Sequence, residues 1–153
     1  MRTALLLTSI LALPHVAVYA ADAPARWEER PFFALRPGQQ VPPPQYYATT
    51  EELPAGTEVR LRVVRCPDKA GLAVRHFIGG PVFSIGVVKK FSDLAADQVL
   101  SCKLGDKMKV GITATIGGDP AACKGLEQKG GKDVLKYAAG DQELILEVEI
   151  VGK

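Results

Sequence analysis

The sequence predicts an α+β fold, a small antiparallel sheet with one helix lying across it. Two observations carry that expectation. Four segments place apolar residues at every second position, and between them one segment repeats its apolar residues at intervals of three and four. Strands that alternate apolar and polar residues build a sheet with a single dry face, and the one amphipathic segment is the element available to cover it.

The chain of 153 residues opens on a segment set apart from that fold. Arg2 supplies a positive start, and Ala4 to Leu13 is an apolar run broken only by Thr8 and Ser9. Val18-Tyr19-Ala20 then places small residues where signal peptidase reads them, so residues 1–20 are read as a signal peptide cleaved before Ala21. A membrane anchor needs about 20 apolar residues, and Pro14 and His15 interrupt this stretch too early. The expected location is therefore exported, whether secreted, periplasmic or lumenal, with no membrane attachment after cleavage.

Residues 21–53 read as a proline-rich extended arm. Pro24, Pro31, Pro37 and the run Pro42-Pro43-Pro44 exclude a helix and disfavour a central strand. The arm is expected to pack Trp27, Phe32, Phe33, Tyr46 and Tyr47 against a domain spanning 54–153. A proline-rich ligand for an aromatic groove is the other reading of the same run.

Within the domain, Val59, Leu61 and Val63 alternate with Glu58, Arg60 and Arg62 as a half-buried strand. Val82-Phe83-Ser84-Ile85, between Gly79-Gly80-Pro81 and Gly86, is a second. Phe91, Leu94, Ala95, Val99 and Cys102 then fall on one face of a helix, with Asp93, Asp97 and Gln98 outward. Ser92 or Asp93 is its cap, Lys103 suits its negative end and Gly105 is its stop. Met108, Val110, Ile112, Ala114 and Ile116 form the third strand, and Leu144, Leu146, Val148 and Ile150 the last. Between those two, Gly117-Gly118-Asp119-Pro120 is a turn, Ala121 to Gln128 a short helical turn, and Lys129-Gly130-Gly131-Lys132 an exposed loop without a phosphate-binding pattern.

Composition narrows the function classes. A net charge of +2, with basic residues scattered among acids, gives no basis for nucleic-acid binding. The 47% hydrophobic and 24% charged residues place the chain among ordinary globular proteins and exclude a disordered or collagenous one. With export, Cys66, Cys102 and Cys123 would meet an oxidising compartment, which leads to an expectation of one disulfide and one leftover thiol. There is no Cys-x-x-Cys pair, and His76 is the one histidine past residue 20, so no metal site and no cofactor are expected.

Three segments in order carry a family resemblance. Pro81-Val82-Phe83-Ser84-Ile85-Gly86, then Leu104-Gly105-Asp106-Lys107-Met108-Lys109-Val110-Gly111-Ile112, then the terminal Gly140 to Ile150 together resemble the FKBP-type peptidyl-prolyl cis-trans isomerase domain, over residues 54–152. The resemblance implies a strongly twisted antiparallel sheet wrapped around a single α-helix, with an aromatic pocket between them for a prolyl peptide. Such a pocket works by favouring the twisted amide over the planar one, against a barrier of ~20 kcal/mol. The family's pocket tyrosines fall on Cys66 and near Gly118, its Phe-Asp pair near Val74 and Arg75, and its tryptophan on Ala95 or Leu94. Phe83, Phe91, Tyr137 and Leu146 keep apolar or aromatic character, so the resemblance implies them as substrate-binding residues, although core packing suits them as well. It also implies a Cys66–Cys123 bridge closing the pocket edge, with Cys102 inert on the helix and Cys102–Cys123 as the other pairing. The expected function is an exported peptide- or protein-binding module, its partner a protein or proline-containing peptide, with weak or absent isomerase activity. An active isomerase with a remodelled pocket and a small structural subunit of a larger assembly are the alternatives.

Overall fold

The computed structural model describes residues 26–31, 37–38, 40, 43–77 and 84–152, and among these the chain is all β. In chain order the strands are β1 (Trp27–Arg30), β2 (Tyr46–Thr49), β3 (Glu58–Arg65), β4 (Ala70–Phe77), β5 (Ser84–Phe91), β6 (Val99–Lys103), β7 (Lys109–Ile116), β8 (Asp119–Pro120), β9 (Ala122–Lys129), β10 (Lys132–Ala139) and β11 (Gln142–Val151). They form two antiparallel sheets. The first runs β1-β2-β7-β4-β5, with β8 against β7, and the second runs β6-β3-β11-β10-β9.

The α+β expectation, with a sheet wrapped around one helix, is thereby overturned. No helix occurs among the described residues, and the FKBP-like architecture has no counterpart in them. Where the helix was expected, Phe91 ends β5, the chain turns, and Val99–Lys103 is a strand paired to β3. Two residues break the helical spacing: Asp93 and Asp97 adopt left-handed backbone, φ 53° and 65°. The turn is closed by the Gln98 N–H donating to the Ala95 carbonyl (3.2 Å) and the Ala95 N–H donating to the Gln98 side chain (3.1 Å). Beyond it Leu100 and Cys102 are buried while Val99, Ser101 and Lys103 are exposed, which is a period of two. The dry face of one sheet is covered by the dry face of the other.

Three of the expected strands are found as β3, β7 and β11, with Val59, Leu61, Val63, Val110, Ile112, Leu144 and Leu146 fully buried. Of the fourth, residues 81–83 lie outside the described residues, and Ser84 and Ile85 begin β5. The expected helical turn at 121–128 is instead β9, and β9 joins β10 through Gly130 and Gly131, both at positive φ (62° and 77°), the conformation that a two-residue hairpin turn requires. The proline-rich stretch contributes β1 and β2. Tyr47 pairs with Ile112 of β7, so this stretch supplies part of the first sheet. The expected signal peptide lies outside the described residues.

The core lies between the sheets. Trp27, Tyr47, Val74 and Ile112 from the first meet Leu61, Leu135, Tyr137 and Leu146 from the second. A smaller cluster of Tyr46, Ala48 and Phe77 forms on the opposite face of the first sheet, where the Tyr46 and Phe77 rings meet edge to face at 5.9 Å. Their contact depends on Gly111, because a Cβ there would stand 3.2 Å from Tyr46 Cδ2 and 3.6 Å from Phe77 Cδ1.

The two flanks of the sandwich are closed differently. Where β1 and β2 approach β9 and β10, the Trp27 indole N–H donates to the Asp133 carboxylate at 3.1 Å and the Cys123 N–H donates to the Pro44 carbonyl at 2.7 Å. The Tyr47 hydroxyl accepts the Gly125 N–H at 2.9 Å and donates to the Lys136 carbonyl at 2.7 Å, beside the bulge at Lys136/Tyr137. On the other flank, β5 and β6 are the edge strands. They are linked by Lys89 Nζ donating to the Ser101 carbonyl at 3.3 Å, and Val87 and Val99 stand exposed.

Candidate functional site: a groove at one end of the sandwich

Of the residues expected to bind substrate, the three that are described lie on three strands, one in the first sheet and two in the second. Tyr137 and Leu146 are fully buried on β10 and β11, and the Tyr137 hydroxyl donates to the Ile112 carbonyl at 2.6 Å. Its ring stands edge to face with Tyr47 at 5.1 Å. Burial holds the Tyr137 phenol well above its ordinary pKa, so it remains a neutral core hydroxyl. Phe91 is half-buried at the end of β5, on the far flank, with Lys89 Nζ 5.2 Å from its ring centre. Phe83 lies outside the described residues.

The expected Cys66–Cys123 bridge is absent, and all three cysteines carry free thiols. Arg65 pairs with Ile145, Ile145 with Lys136, and Lys136 with Gly125, so the end of β3 is three strand spacings from β9. That is about 14 Å across a sheet, against a limit of about 7 Å between the Cα atoms of a disulfide. Cys102 lies farther still from Cys123, on β6. The Cys66 thiol instead donates to the Leu94 carbonyl at 3.2 Å. Burial, with the Glu29 charge adding to it, pushes the Cys123 thiol up to about 12. Burial also raises Cys66 and Cys102. A thiol held neutral is a poor nucleophile and a poor metal ligand. Among the described residues no group of three or more His, Cys, Asp or Glu is placed to hold a metal ion.

Among the described residues a concave feature lies where the two ends of the fold meet. Arg26 enters β1, Thr49 and Thr50 leave β2, the 51–57 segment loops back, and Ile150 and Gly152 close β11, together enclosing a groove of about 590 Å³. That volume is within the range of small-ligand and peptide side-chain sites. Its walls are fixed by backbone. The Thr50 N–H donates to the Arg26 carbonyl at 2.9 Å, and Leu53 and Met108 exchange hydrogen bonds of 2.7 and 3.0 Å. Gly56, at φ 85°, turns the loop so that its N–H reaches the Leu104 carbonyl at 2.7 Å.

Half-buried Leu53 and Ile150 supply apolar lining to the groove. Arg26, Glu51 and Glu52 stand exposed around it, and Glu52 is 3.4 Å from Lys107. Inside, the Thr49 hydroxyl accepts the Val110 N–H at 3.0 Å and is committed to the fold. A lining that mixes apolar and charged side chains suits contact with an extended chain. In the sequence the signal for this site is slight: Thr49-Thr50-Glu51-Glu52 marks a polar exit from a strand and Pro54-Ala55-Gly56 a turn, but their meeting with Arg26 and Ile150 is a matter of tertiary pairing. The sequence matches no family model and no curated protein.

Proposed function

We propose that the chain is an exported binding module that holds an extended protein or peptide segment in this groove and performs no bond chemistry of its own. The observation that carries the reading is the groove itself, whose lining combines apolar Leu53 and Ile150 with charged Arg26, Glu51 and Glu52. Export rests on the pattern of residues 1–20. The outer face of the second sheet is a weaker candidate surface. Its charges neutralise one another in pairs, Arg62 with Glu147, Arg65 and Lys124 with Glu143, and Lys136 with Glu127, leaving little field for a charged partner.

The test is site-specific photocrosslinking in exporting cells, with the crosslinker at position 51 in one variant and at position 62, on the paired outer face, in another. A discrete adduct from position 51 that is lost on Ile150→Glu, with none from position 62, supports the groove. Equal adducts from both positions, or an adduct indifferent to Ile150→Glu, would count against it. Prolyl-peptide exchange measured by NMR is expected to stay at the uncatalysed rate. Turnover in that assay would favour an isomerase instead.

A further inference from the structure

We propose that Lys89 guards the open flank of the sandwich, capping the exposed edge of β6 so that a second copy of the chain cannot add to it as a strand. The inference is independent of the groove and of what binds there.

The hydrogen-bond phase of β6 defines its outer edge. The Leu104 N–H donates to the Thr57 carbonyl and the Val63 N–H to the Gln98 carbonyl, so the pairs 57/104 and 63/98 are bonded ones. In an antiparallel ladder bonded and non-bonded pairs alternate. The register Glu58↔Lys103, Arg60↔Ser101 and Arg62↔Val99 therefore consists of non-bonded pairs. The backbone N–H and carbonyl groups of Val99, Ser101 and Lys103 point away from β3, toward the outside of the sheet. Among the described residues no strand pairs with them. Such an edge, with Val99 67% exposed beside it, is a template for a further strand.

Lys89 occupies the middle of that template. It lies opposite Val74 on β5, on the face turned toward the second sheet, and its Nζ donates to the Ser101 carbonyl at 3.3 Å. The same ammonium stands 5.2 Å from the Phe91 ring centre, which holds it in place by cation–π attraction. A strand approaching β6 would have to displace this ammonium and leave its charge in the new interface. Lys90, its neighbour, pairs with Ala73 and projects to the opposite face of the first sheet, so it carries equal charge but cannot cap β6.

The experiment compares Lys89→Thr and Lys90→Thr by sedimentation over a concentration series of the exported chain. Lys89→Thr is expected to shift from monomer toward dimer while Lys90→Thr stays monomeric. The double variant Lys89→Thr/Val99→Pro should return to monomer, because proline at 99 removes an outward N–H without touching a bond to β3. Amide exchange at Ser101 in Lys89→Thr should slow as concentration rises, a readout that does not depend on Val99→Pro folding. The proposal is overturned if Lys89→Thr stays monomeric. It is overturned equally if Lys90→Thr associates as strongly, or if association leaves Ser101 exchange unchanged.

Discussion

The two flanks of this sandwich meet one requirement, closing the gap between two sheets, with different materials. On the β1/β2 and β9/β10 side the closure is made of buried aromatics with their polar ends satisfied: Trp27 on Asp133, Tyr47 on the Gly125 and Lys136 backbone, Tyr137 on Ile112. On the β5/β6 side it is an exposed lysine reaching one carbonyl, a thiol on another, and a turn. A buried aromatic with its hydrogen bond made contributes both transfer free energy and a desolvated polar contact, whereas an exposed ammonium contributes little beyond blocking an edge. The stability of the fold is thus concentrated on one flank, and the other is kept from pairing with a neighbour.

The largest expected effect is at Trp27. Trp27→Ala removes a fully buried ring and leaves Asp133 without its indole donor, so a loss of about 3–5 kcal/mol is expected from chemical denaturation. Phe91→Ala, on the open flank and only half-buried, should cost under about 2 kcal/mol. Equal losses would erase the distinction between the flanks.

A smaller effect is expected in alkali. The Cys123 thiol, raised to about 12 in the fold, ionises near 8.5 in the unfolded chain. Its contribution is complete below the unfolded value and is lost as pH rises from there through the folded one. Stability measured by urea melts should fall between about pH 8.5 and 12, and Cys123→Ala should flatten part of that slope. The smallest effect belongs to the outer face. Lys124, with Arg65 behind it, holds the Glu143 carboxyl below its ordinary value. That contribution is present above the unfolded value and fades as pH falls through the folded one, so Glu143→Gln should lower stability slightly in neutral melts, and the difference should vanish in acid.

What the sequence showed and hid follows from the same physics. β3, β7 and β11 lie inside their sheets with one dry face, and their period of two is plain. β6 is five residues long, and its exposed Val99 and buried Cys102 complete a helical spacing after Phe91, Leu94 and Ala95, while buried Leu100 falls outside that count. Asp93 and Asp97 are compatible with a helix by composition, and their left-handed backbone is a property of the folded turn. β9 is an edge strand whose exposed Lys124, Glu127 and Lys129 blur any alternation. β1 and β2 are short strands in a proline-rich stretch, which reads as an arm because the prolines between them dominate its composition. A Cys66–Cys123 bridge suits a sheet wrapped around a helix, whereas the described residues set the end of β3 and β9 three strand positions apart, and the groove is hidden because residue 26 and residue 150 meet only through the sheets.

Amide-resolved hydrogen exchange along residues 91–104 tests the central claim most directly. The two-sheet account predicts alternation, with Leu100 and Cys102 protected by β3 and Val99, Ser101 and Lys103 exchanging fast from the outer edge. Continuous protection from about residue 95 to 103, as a helix gives through its successive i to i−4 bonds, would contradict it.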